Sequence, residues 1–256
     1  DLHSFPTRRS SDLGNFLSDA HIGTRIVADS REHEQRLVSW LDTVRHDATE
    51  IFLVGDIFDF WFEYSRCVPK GYCRLLGKLA ELTDSGIKIH FFIGNHDLWT
   101  FGYLEQEIGL QVYKTPQIFE LMGLKFFITH GDGINDESRI FRISRRLFHS
   151  KVMQRCFAAI HPDIGIAIAR RMSNNNRKKH SYIEYKGEND EPLVTFAKNY
   201  TDTHIDYFIF GHRHIVLNLQ IPSGSHIVIL GDFYEEFSYA VLDENGFSIE
   251  NFNANR

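Results

Sequence analysis

Five short groups of polar residues along the chain carry side chains that bind divalent metal ions. They read Asp19-Ala20-His21, Gly55-Asp56, Gly94-Asn95-His96-Asp97, His130-Gly131-Asp132 and Gly211-His212-Arg213-His214. Carboxylate and imidazole groups hold Mn²⁺, Fe²⁺, Zn²⁺ or Mg²⁺, and a site without thiolates leaves its metal a stronger Lewis acid. Because a pair of such ions can activate water against a phosphate ester, the five groups together predict a two-metal phosphoester hydrolase.

Seven side chains in these groups are the expected metal ligands: Asp19, His21, Asp56, Asn95, His130, His212 and His214. Two pairs of them are separated by one residue, so on an extended backbone both members of a pair would point the same way. Asp56 can bridge two metals with its two oxygens, and Asn95 can add a neutral carbonyl oxygen. Each group alone is a weak signal, whereas the conjunction of five favours a metal centre over scattered structural residues.

The elements that must position these ligands follow from hydrophobic periodicity. Residues 51–54 and 87–93 are apolar runs typical of buried strands, and residues 30–46 and 70–84 have helical spacing. Strand and helix alternate, which predicts a parallel or mixed α/β sheet. Four of the five groups follow an apolar run, so we expect their side chains to converge at the ends of buried strands.

After residue 110 the pattern changes to closely spaced strands, which predict a second, more antiparallel sheet. These segments are residues 117–122, 125–129, 205–210, 215–221, 226–230, 237–242 and 247–252. We expect one domain over residues 14–256 with a helical cap insertion at about 136–200. Residues 1–13 lack periodicity and an apolar signal-peptide core, and are expected to be a non-native leader.

Composition and charge narrow the function. The chain has 256 residues, 43% hydrophobic and 24% charged, and three cysteines without zinc-finger spacing, which indicates reduced thiols in a cytosolic globular protein. Net charge is −6, yet residues 139–180 hold 11 Lys or Arg against one acid, a local charge of +10. This asymmetry indicates that the insertion grips an anionic substrate or lies on an anionic surface.

The five groups resemble the motifs of calcineurin-like metallophosphoesterases, in that family's order and across most of residues 16–231. The resemblance implies a four-layer α/β/β/α sandwich with a two-metal centre at the strand ends. It also implies that His96, oriented by Asp97, stabilises the pentacovalent phosphorus or protonates the leaving oxygen. Transferred by motif, the ligands are Asp19, His21, Asp56 and His214 for one metal, and Asp56, Asn95, His130 and His212 for the other.

Residues 16–23 (FLSDAHIG), residues 53–61 (LVGDIFDFW) and the insertion ending at residues 169–176 resemble one branch of that family, the UDP-2,3-diacylglucosamine pyrophosphohydrolases. This implies cleavage of UDP-2,3-diacylglucosamine to UMP and 2,3-diacylglucosamine 1-phosphate in lipid A biosynthesis, with two divalent ions, Mn²⁺ expected. The chain departs from the branch at His96, where arginine is common. A metallophosphodiesterase or phosphatase acting on a soluble nucleotide or phosphosugar is therefore the alternative.

The insertion is expected to meet the substrate. The resemblance implies polar contacts from Asn95, His96, Asp136, Asn176, Arg177, Lys179 and His180. Apolar residues at four-residue steps, Phe148, Val152, Cys156 and Ile160, with Phe157 beside them, predict one helix face that receives acyl chains or rests on an anionic inner membrane; plain packing of that face is the alternative.

Partners and location follow from the same implied activity. We expect a nucleotide-sugar lipid substrate, no nucleic acid, and a cytoplasmic position that can be peripheral on a Gram-negative inner membrane. Trp99 is expected to pack in the core rather than stack on substrate. A scaffold that has lost turnover would lack ligands, and all seven are present.

Overall fold

The structure, a computed structural model, describes residues 13–135, 139–179 and 184–253. For residues 13, 140, 141 and 173–179 only the backbone is described. The leader expected at residues 1–13 therefore lies outside the described residues, apart from the backbone of Leu13. Of the expected substrate contacts, Asp136 and His180 also lie outside them.

A first sheet carries three of the five polar groups. Its strands are β1 (Leu13–Leu17), β2 (Ala48–Val54), β3 (Lys88–Phe92), β4 (Gln111–Tyr113), β10 (Ser238–Asp243) and β11 (Gly246–Asn251). They lie in the order β11-β10-β1-β2-β3-β4. The strands from β1 to β4 are parallel, whereas β10 is antiparallel to both β1 and β11. The apolar runs predicted as buried strands thus form the parallel centre of this sheet.

A second sheet carries the other two groups. Its strands are β5 (Gln117–Leu121), β6 (Leu124–Ile128), β7 (Tyr207–Phe210), β8 (Val216–Gln220) and β9 (His226–Leu230), in the order β5-β6-β7-β9-β8. The central strands β6, β7 and β9 are parallel, and the two edge strands are antiparallel to them. Parallel centres in both sheets place the carboxyl ends of five strands where ligand loops can converge.

The expectation that all seven late segments form one antiparallel sheet is wrong for β10 and β11. These strands join the first sheet, where Gly14 pairs with Leu242 and Phe16 pairs with Ala240. The period-2 pattern of a strand shows which face is buried but not which strand is its neighbour. The remaining five late segments form the second sheet, with a parallel centre that the sequence pattern does not show.

The two sheets pack face to face through aromatic side chains. Phe16, Phe52 and Phe92 of the first sheet form one cluster with Phe126 and Ile209 of the second. The rings of Phe16 and Phe52 stack with centroids 4.7 Å apart. Full burial of a phenylalanine contributes roughly 1.5–3 kcal/mol, so this layer fixes the spacing of the strand ends.

Helices cover the two outer faces of the sandwich. Helices α1 (Ser30–Val44) and α2 (Cys73–Asp84) pack on the first sheet around Leu53 and Phe91. Helix α7 (Pro192–Lys198) packs on the second sheet against Phe208 and Phe210. The short helix α3 (Tyr103–Gln106) precedes β4. The order of layers is helix, sheet, sheet, helix, which confirms the α/β/β/α sandwich.

A helical cap lies between β6 and α7, as expected. It consists of α4 (Arg139–His149), α5 (Lys151–Ala158) and α6 (Pro162–Lys179). Phe157 is buried among Phe60, Phe62 and Trp99, and the Trp99 indole N–H donates to the carbonyl of Phe148 at 2.9 Å. Trp99 therefore packs in the core as predicted, and this cluster attaches the cap to the sandwich.

The cap does not present the single continuous face that the four-residue steps predicted. Ser150 is extended and starts a new helix, which separates Phe148 from Val152. Phe148 and Ile160 are partly buried in the attachment cluster, whereas Val152 is 68% exposed. Helical spacing in a sequence does not reveal a break between two short helices. In the described ranges, none of the helices is both long and apolar enough to cross a membrane.

Candidate metal centre

The five polar groups all begin within two residues of a strand end, after β1, β2, β3, β6 and β7. Two bonds tie the groups together, one between the two sheets and one within the first sheet. The N–H of His212 donates to Asp19 Oδ2 at 2.8 Å, and the N–H of His96 donates to Asp56 Oδ1 at 2.8 Å. Loops from both sheets therefore meet at one edge of the sandwich.

One cluster of donor atoms comprises Asp19, His21 and His214. The Nε2 atoms of His21 and His214 lie 3.5 Å and 3.3 Å from Oδ1 of Asp19, and 3.4 Å from each other. His214 is oriented from behind, because its Nδ1 lies 2.8 Å from the hydroxyl of Tyr234. Three donor atoms thus surround a common point, which is the arrangement that a divalent ion requires.

A second cluster comprises Asp56, His130 and His212. Oδ2 of Asp56 lies 3.3 Å from Nε2 of His130 and 3.9 Å from Nε2 of His21 in the first cluster. Asp56 therefore lies between the two clusters. Asn95 is exposed at the rim, one residue before the His96 N–H that donates to Asp56.

The donor set fits a pair of cations. Nδ1 of His130 lies 2.9 Å from the carbonyl of Val54, so its N–H donates there and Nε2 faces the site. Asp19 uses Oδ2 to accept from Ser18 Oγ at 2.5 Å. Among the described residues, Asp19 Oδ1 and His130 Nε2 are buried atoms without a hydrogen bond. Such atoms are costly to bury unless a ligand binds them, and a cation suits both.

Burial and close charges shift the pKa values of these side chains in opposite directions. Burial raises the pKa of Asp19 to about 7, and burial lowers the pKa of His212 to about 4. For Asp56, burial is outweighed by His130 and His96, which hold its pKa well below the ordinary value. For His130, burial is outweighed by Asp56 and Asp19, which raise its pKa well above the ordinary value. Burial thus disfavours the charged form of Asp19, and a bound cation would stabilise it.

The backbone of the site is strained. Five of the seven expected ligands have positive φ: Asp19 (53°), His21 (46°), Asp56 (53°), His212 (66°) and His214 (49°). The left-handed region costs a non-glycine residue roughly 1–2 kcal/mol, and in the described ranges only three other non-glycine residues adopt it. The ligand pairs are therefore not extended as their spacing suggested. His212 and His214 lie in different clusters, whereas Asp19 and His21, which have similar angles, share one.

Two glycines allow the loops to approach this closely. A Cβ at Gly94 would overlap Asp56 Oδ1, and one at Gly211 would overlap Ser18 Oγ. Both overlaps are far inside van der Waals contact with atoms that support the ligands. These positions require glycine because of the close approach, not because of their own backbone angles.

His96 is oriented differently from the prediction. Its Nδ1 lies 2.7 Å from the carbonyl of Asp59, and its ring centroid is 4.8 Å from that of His21. Asp97 is fully buried and accepts from the N–H groups of Ile57 at 2.8 Å and Gly94 at 2.5 Å. Burial raises the pKa of Asp97 to about 7. Asp97 therefore joins two ligand loops instead of orienting His96.

Sequence reasoning missed Asp59. One oxygen of its buried side chain lies within 4.8 Å of donor atoms of both His21 and His96. Its position three residues after Asp56 is the signal that could have marked it, because the same strand-end loop carries both. Asp59 thus borders the site through its side chain as well as through the carbonyl that orients His96.

The predicted substrate contacts are placed only in part. Asn95 and His96 lie at the rim of the two clusters, whereas the side chains of Asn176, Arg177 and Lys179 on α6 lie outside the described residues.

A cleft of about 160 Å³ beside the centre was not predicted from the sequence. Its lining includes Gly94, Leu98, Lys114, Asp132, Arg145 and His149. The cleft lies between the ligand loops and cap helix α4, which are joined by an ion pair of 3.2 Å from Arg145 Nε to Asp132 Oδ2.

Comparisons with known proteins show the family of this chain. A family model for calcineurin-like phosphoesterases matches residues 15–216. UDP-2,3-diacylglucosamine hydrolase of Porphyromonas gingivalis is 40% identical over 243 residues, covering 89% of this chain and 93% of that protein. The enzyme of the same name from Shewanella baltica is 23% identical over 235 residues, covering 92% and 95%. A dimetal phosphatase structure from Danio rerio covers 93% of this chain and 95% of its own at 14% identity and a TM-score of 0.46. This chain belongs to the calcineurin-like phosphoesterase family.

Proposed function

We propose that this chain hydrolyses the pyrophosphate linkage of UDP-2,3-diacylglucosamine, giving UMP and 2,3-diacylglucosamine 1-phosphate. The observation that carries the chemistry is the pair of donor clusters linked by Asp56 at the strand ends. The choice of substrate is supported by the Porphyromonas gingivalis relative, which is 40% identical across most of both chains. In this proposal residues 14–256 form one phosphoesterase domain with the cap inserted at about 136–200.

The two metals have proposed ligands drawn from the two clusters. Asp19, His21 and His214 would hold one ion and His130 and His212 the other, with Asp56, which lies between the clusters, and Asn95 at the rim completing the set. Oxygen and nitrogen donors without thiolates suit Mn²⁺, which is the proposed ion. When bound, a pair of such ions lowers the pKa of water and offsets charge on the phosphate oxygens.

The side chains that surround the phosphate perform the remaining steps. The Asp59 carbonyl accepts the Nδ1 proton of His96 at 2.7 Å, which fixes the ring beside His21. In its imidazolium form His96 donates its second N–H to a phosphate oxygen or to the oxygen that leaves. Asp97 holds the loop that carries Asn95 and His96 against the loop that carries Asp56. Water then adds across the linkage, so one P–O bond forms and one breaks.

We also propose that the protein is cytoplasmic and that its cap rests on the anionic surface of the inner membrane. Its exposed apolar side chains are Ile143, Leu147, Val152, Ile164, Ile168 and Met172, between 45% and 68% exposed. They share the segment that carries a charge of +10. Apolar groups that enter the headgroup region and basic groups that attract anionic lipid act together in interfacial binding.

A substrate panel tests the main proposal. Mn²⁺-loaded protein should release UMP from UDP-2,3-diacylglucosamine and much less from unacylated UDP-glucosamine, and a chelator should stop both reactions. The alternative substrate is a soluble nucleotide or phosphosugar, which is favoured by His96 in place of the arginine common in the lipid A branch. Turnover of the unacylated compound at an equal or higher rate would support that alternative.

Sedimentation with vesicles tests the membrane proposal. The protein should bind vesicles that contain phosphatidylglycerol and should bind pure phosphatidylcholine much less. Val152→Ser should weaken binding, whereas Val216→Ser serves as a control because Val216 is exposed on the second sheet and not on the cap. Equal binding by both variants and wild type would argue against the cap as the contact surface.

A further inference from the structure

Arg213, which separates the ligands His212 and His214, forms a buried ion pair with Glu191. Its Nε donates to Oε1 at 2.8 Å and its Nη2 donates to Oε2 at 3.2 Å, so the contact is bidentate. The Glu191 side chain is 0% exposed and that of Arg213 is 18% exposed. A bidentate guanidinium–carboxylate contact fixes direction as well as distance.

The loop held by this pair is strained on both sides of Arg213. His212 and His214 have φ of 66° and 49°, and the N–H of Arg213 bonds back to the carbonyl of Gly211 at 2.7 Å. Such a sequence of angles persists only where surrounding contacts determine it. The side chain of Arg213 provides one such contact, because it reaches Glu191 at the start of α7 and belongs to neither donor cluster.

Glu191 is a rigid anchor for this contact. It lies at the start of α7, where its carbonyl accepts from Thr195 N at 2.9 Å, and its own N–H donates to the Gly187 carbonyl at 2.9 Å. The first turn of α7 is packed through Leu193 against the outer face of the second sheet. The carboxylate therefore has a fixed position from which it can hold the ligand loop.

We propose that the Glu191–Arg213 pair is a positioning device for the metal centre, setting His212 and His214 and hence one imidazole in each donor cluster. A buried ion pair contributes little net stability compared with apolar residues of similar volume. Here its proposed role is to fix the positions of His212 and His214, not to stabilise the fold. This inference rests on the proposed metal centre and not on the proposed substrate.

The test separates positioning from stability by replacing both partners. The double variant Glu191→Leu with Arg213→Met removes both charges at similar volume and should fold with a thermal midpoint near that of wild type when metal-free. Its Mn²⁺ affinity, measured by titration of the metal-free full chain, should fall about 10- to 100-fold, the usual effect of losing a group that orients a ligand. The electron paramagnetic resonance signal of the coupled Mn²⁺ pair should change as well.

A matched control removes a neighbouring, more exposed ion pair. Lys198 at the end of α7 lies 3.0 Å from Glu188 in the turn before that helix, so Glu188→Gln with Lys198→Gln should keep wild-type Mn²⁺ affinity. Glu191→Gln alone, which retains an oxygen acceptor, should recover part of the affinity lost in the double variant. Both results would support the positioning role.

Two outcomes would overturn the inference in distinguishable ways. Wild-type Mn²⁺ affinity and an unchanged spin-coupled signal in the double variant that lacks both charges would show that the pair is only structural, while the metal centre stands. Failure of the wild-type protein to bind Mn²⁺ would refute the centre itself and the inference with it. Neither result depends on which phosphate ester is the substrate.

Discussion

Two short loops carry the ligand pairs, and both have a strained backbone that is held in place by different kinds of contact. The first ligand loop (residues 19–21) and the second ligand loop (residues 212–214) each place two left-handed residues around a middle residue. In the first, the N–H groups of Asp19, His21 and Ile22 donate to carbonyls of residues 55, 56 and 57 at 2.8–3.1 Å. The second depends on side chains, through the Arg213 ion pair and the Tyr234 contact.

This difference follows from the position of each loop in its sheet. β1 has the parallel neighbour β2, and the chain beyond β2 continues beside the first ligand loop and supplies its carbonyls. β7 is tied to the loop after β6 only as far as Gly211, whose N–H donates to the His130 carbonyl at 3.0 Å. The strained backbone of the first ligand loop is thus held by hydrogen bonds to a neighbouring backbone segment. The second ligand loop extends past its neighbouring segment and is held by side chains from distant parts of the sequence.

The largest effect is expected where the two loops depend on the same residue. Asp56→Ala removes the carboxylate between the clusters, which lies 3.9 Å from His21 and 3.3 Å from His130. Loss of a shared ligand should exceed the about 100-fold typical of losing a supporting partner, so hydrolysis should become undetectable. Metal analysis should show that both ions are lost while circular dichroism stays native. Retention of one full equivalent of Mn²⁺ would mean that the clusters do not share Asp56.

A slightly smaller effect is expected where the second ligand loop touches the first. In Gly211→Ala the new Cβ would overlap Ser18 Oγ and lie 2.6 Å from Asp19 Oδ2, so Asp19 must move. Overpacking of this kind typically costs about 1–3 kcal/mol in the free energy of unfolding, and Mn²⁺ affinity should fall with it. Urea unfolding and Mn²⁺ titration measure the two effects.

The control for that variant is Gly77→Ala. Gly77 lies in α2, and an added Cβ would meet no atom within 4 Å, so the change should stabilise the protein by about 0.5–1 kcal/mol and leave Mn²⁺ affinity unchanged. If Gly211→Ala behaved like Gly77→Ala, the two ligand loops would be less tightly apposed than the overlap at Gly211 indicates.

The two loops also show what a sequence can predict. The convergence of Asp19, His21, His212 and His214 on donor clusters could be predicted because side chains that bind metals have few chemical types and these follow apolar runs. The family resemblance also assigned His212 and His214 to different metals, as the two clusters have them. The four-layer order was implied by the same resemblance and is confirmed, whereas local patterns predicted the buried strands and amphipathic helices but not their layers.

What the sequence did not reveal depends on contacts between distant residues. Positive φ at the ligands is set by partners in other loops, and the ion pair joins Arg213 to a residue 22 positions earlier. The sequence also did not reveal that β10 and β11 join the first sheet, because the pattern of a strand does not show which strand lies next to it. Likewise, Asp97 follows His96 directly but bonds to Ile57 and Gly94.

A smaller effect is expected when a side-chain support of the first ligand loop is removed. His33 on α1 is buried and its Nε2 lies 2.6 Å from the Ala20 carbonyl, to which its N–H donates. His33→Ala leaves a buried carbonyl without this donor, at a cost of about 1–3 kcal/mol in unfolding free energy. Mn²⁺ affinity should fall less than tenfold because the backbone bonds remain. A loss as large as in the Glu191→Leu, Arg213→Met double variant would contradict the contrast between the loops.

The smallest effect concerns pH. Burial lowers the pKa of His33, and the charge of Arg36 lowers it further. The hydrogen bond to the Ala20 carbonyl and the charge of Asp232 raise it by less, so the folded protein binds a proton less readily than the unfolded chain. Histidine in an unfolded chain titrates near about pH 6.5. As pH falls through that value the unfolded state gains the proton first, and the free energy of unfolding decreases.

His33→Gln keeps an N–H donor for the Ala20 carbonyl but cannot take up a proton. The metal-free variant should therefore lose less stability than metal-free wild type between about pH 7 and about pH 5, as measured by urea unfolding at both values. Other histidines titrate equally in both proteins, so the difference isolates His33. Parallel losses would mean that His33 takes up a proton as readily in the fold as in the unfolded chain, so that a cation would contact the middle residue of the first ligand loop, whereas the middle residue of the second, Arg213, is itself the cation.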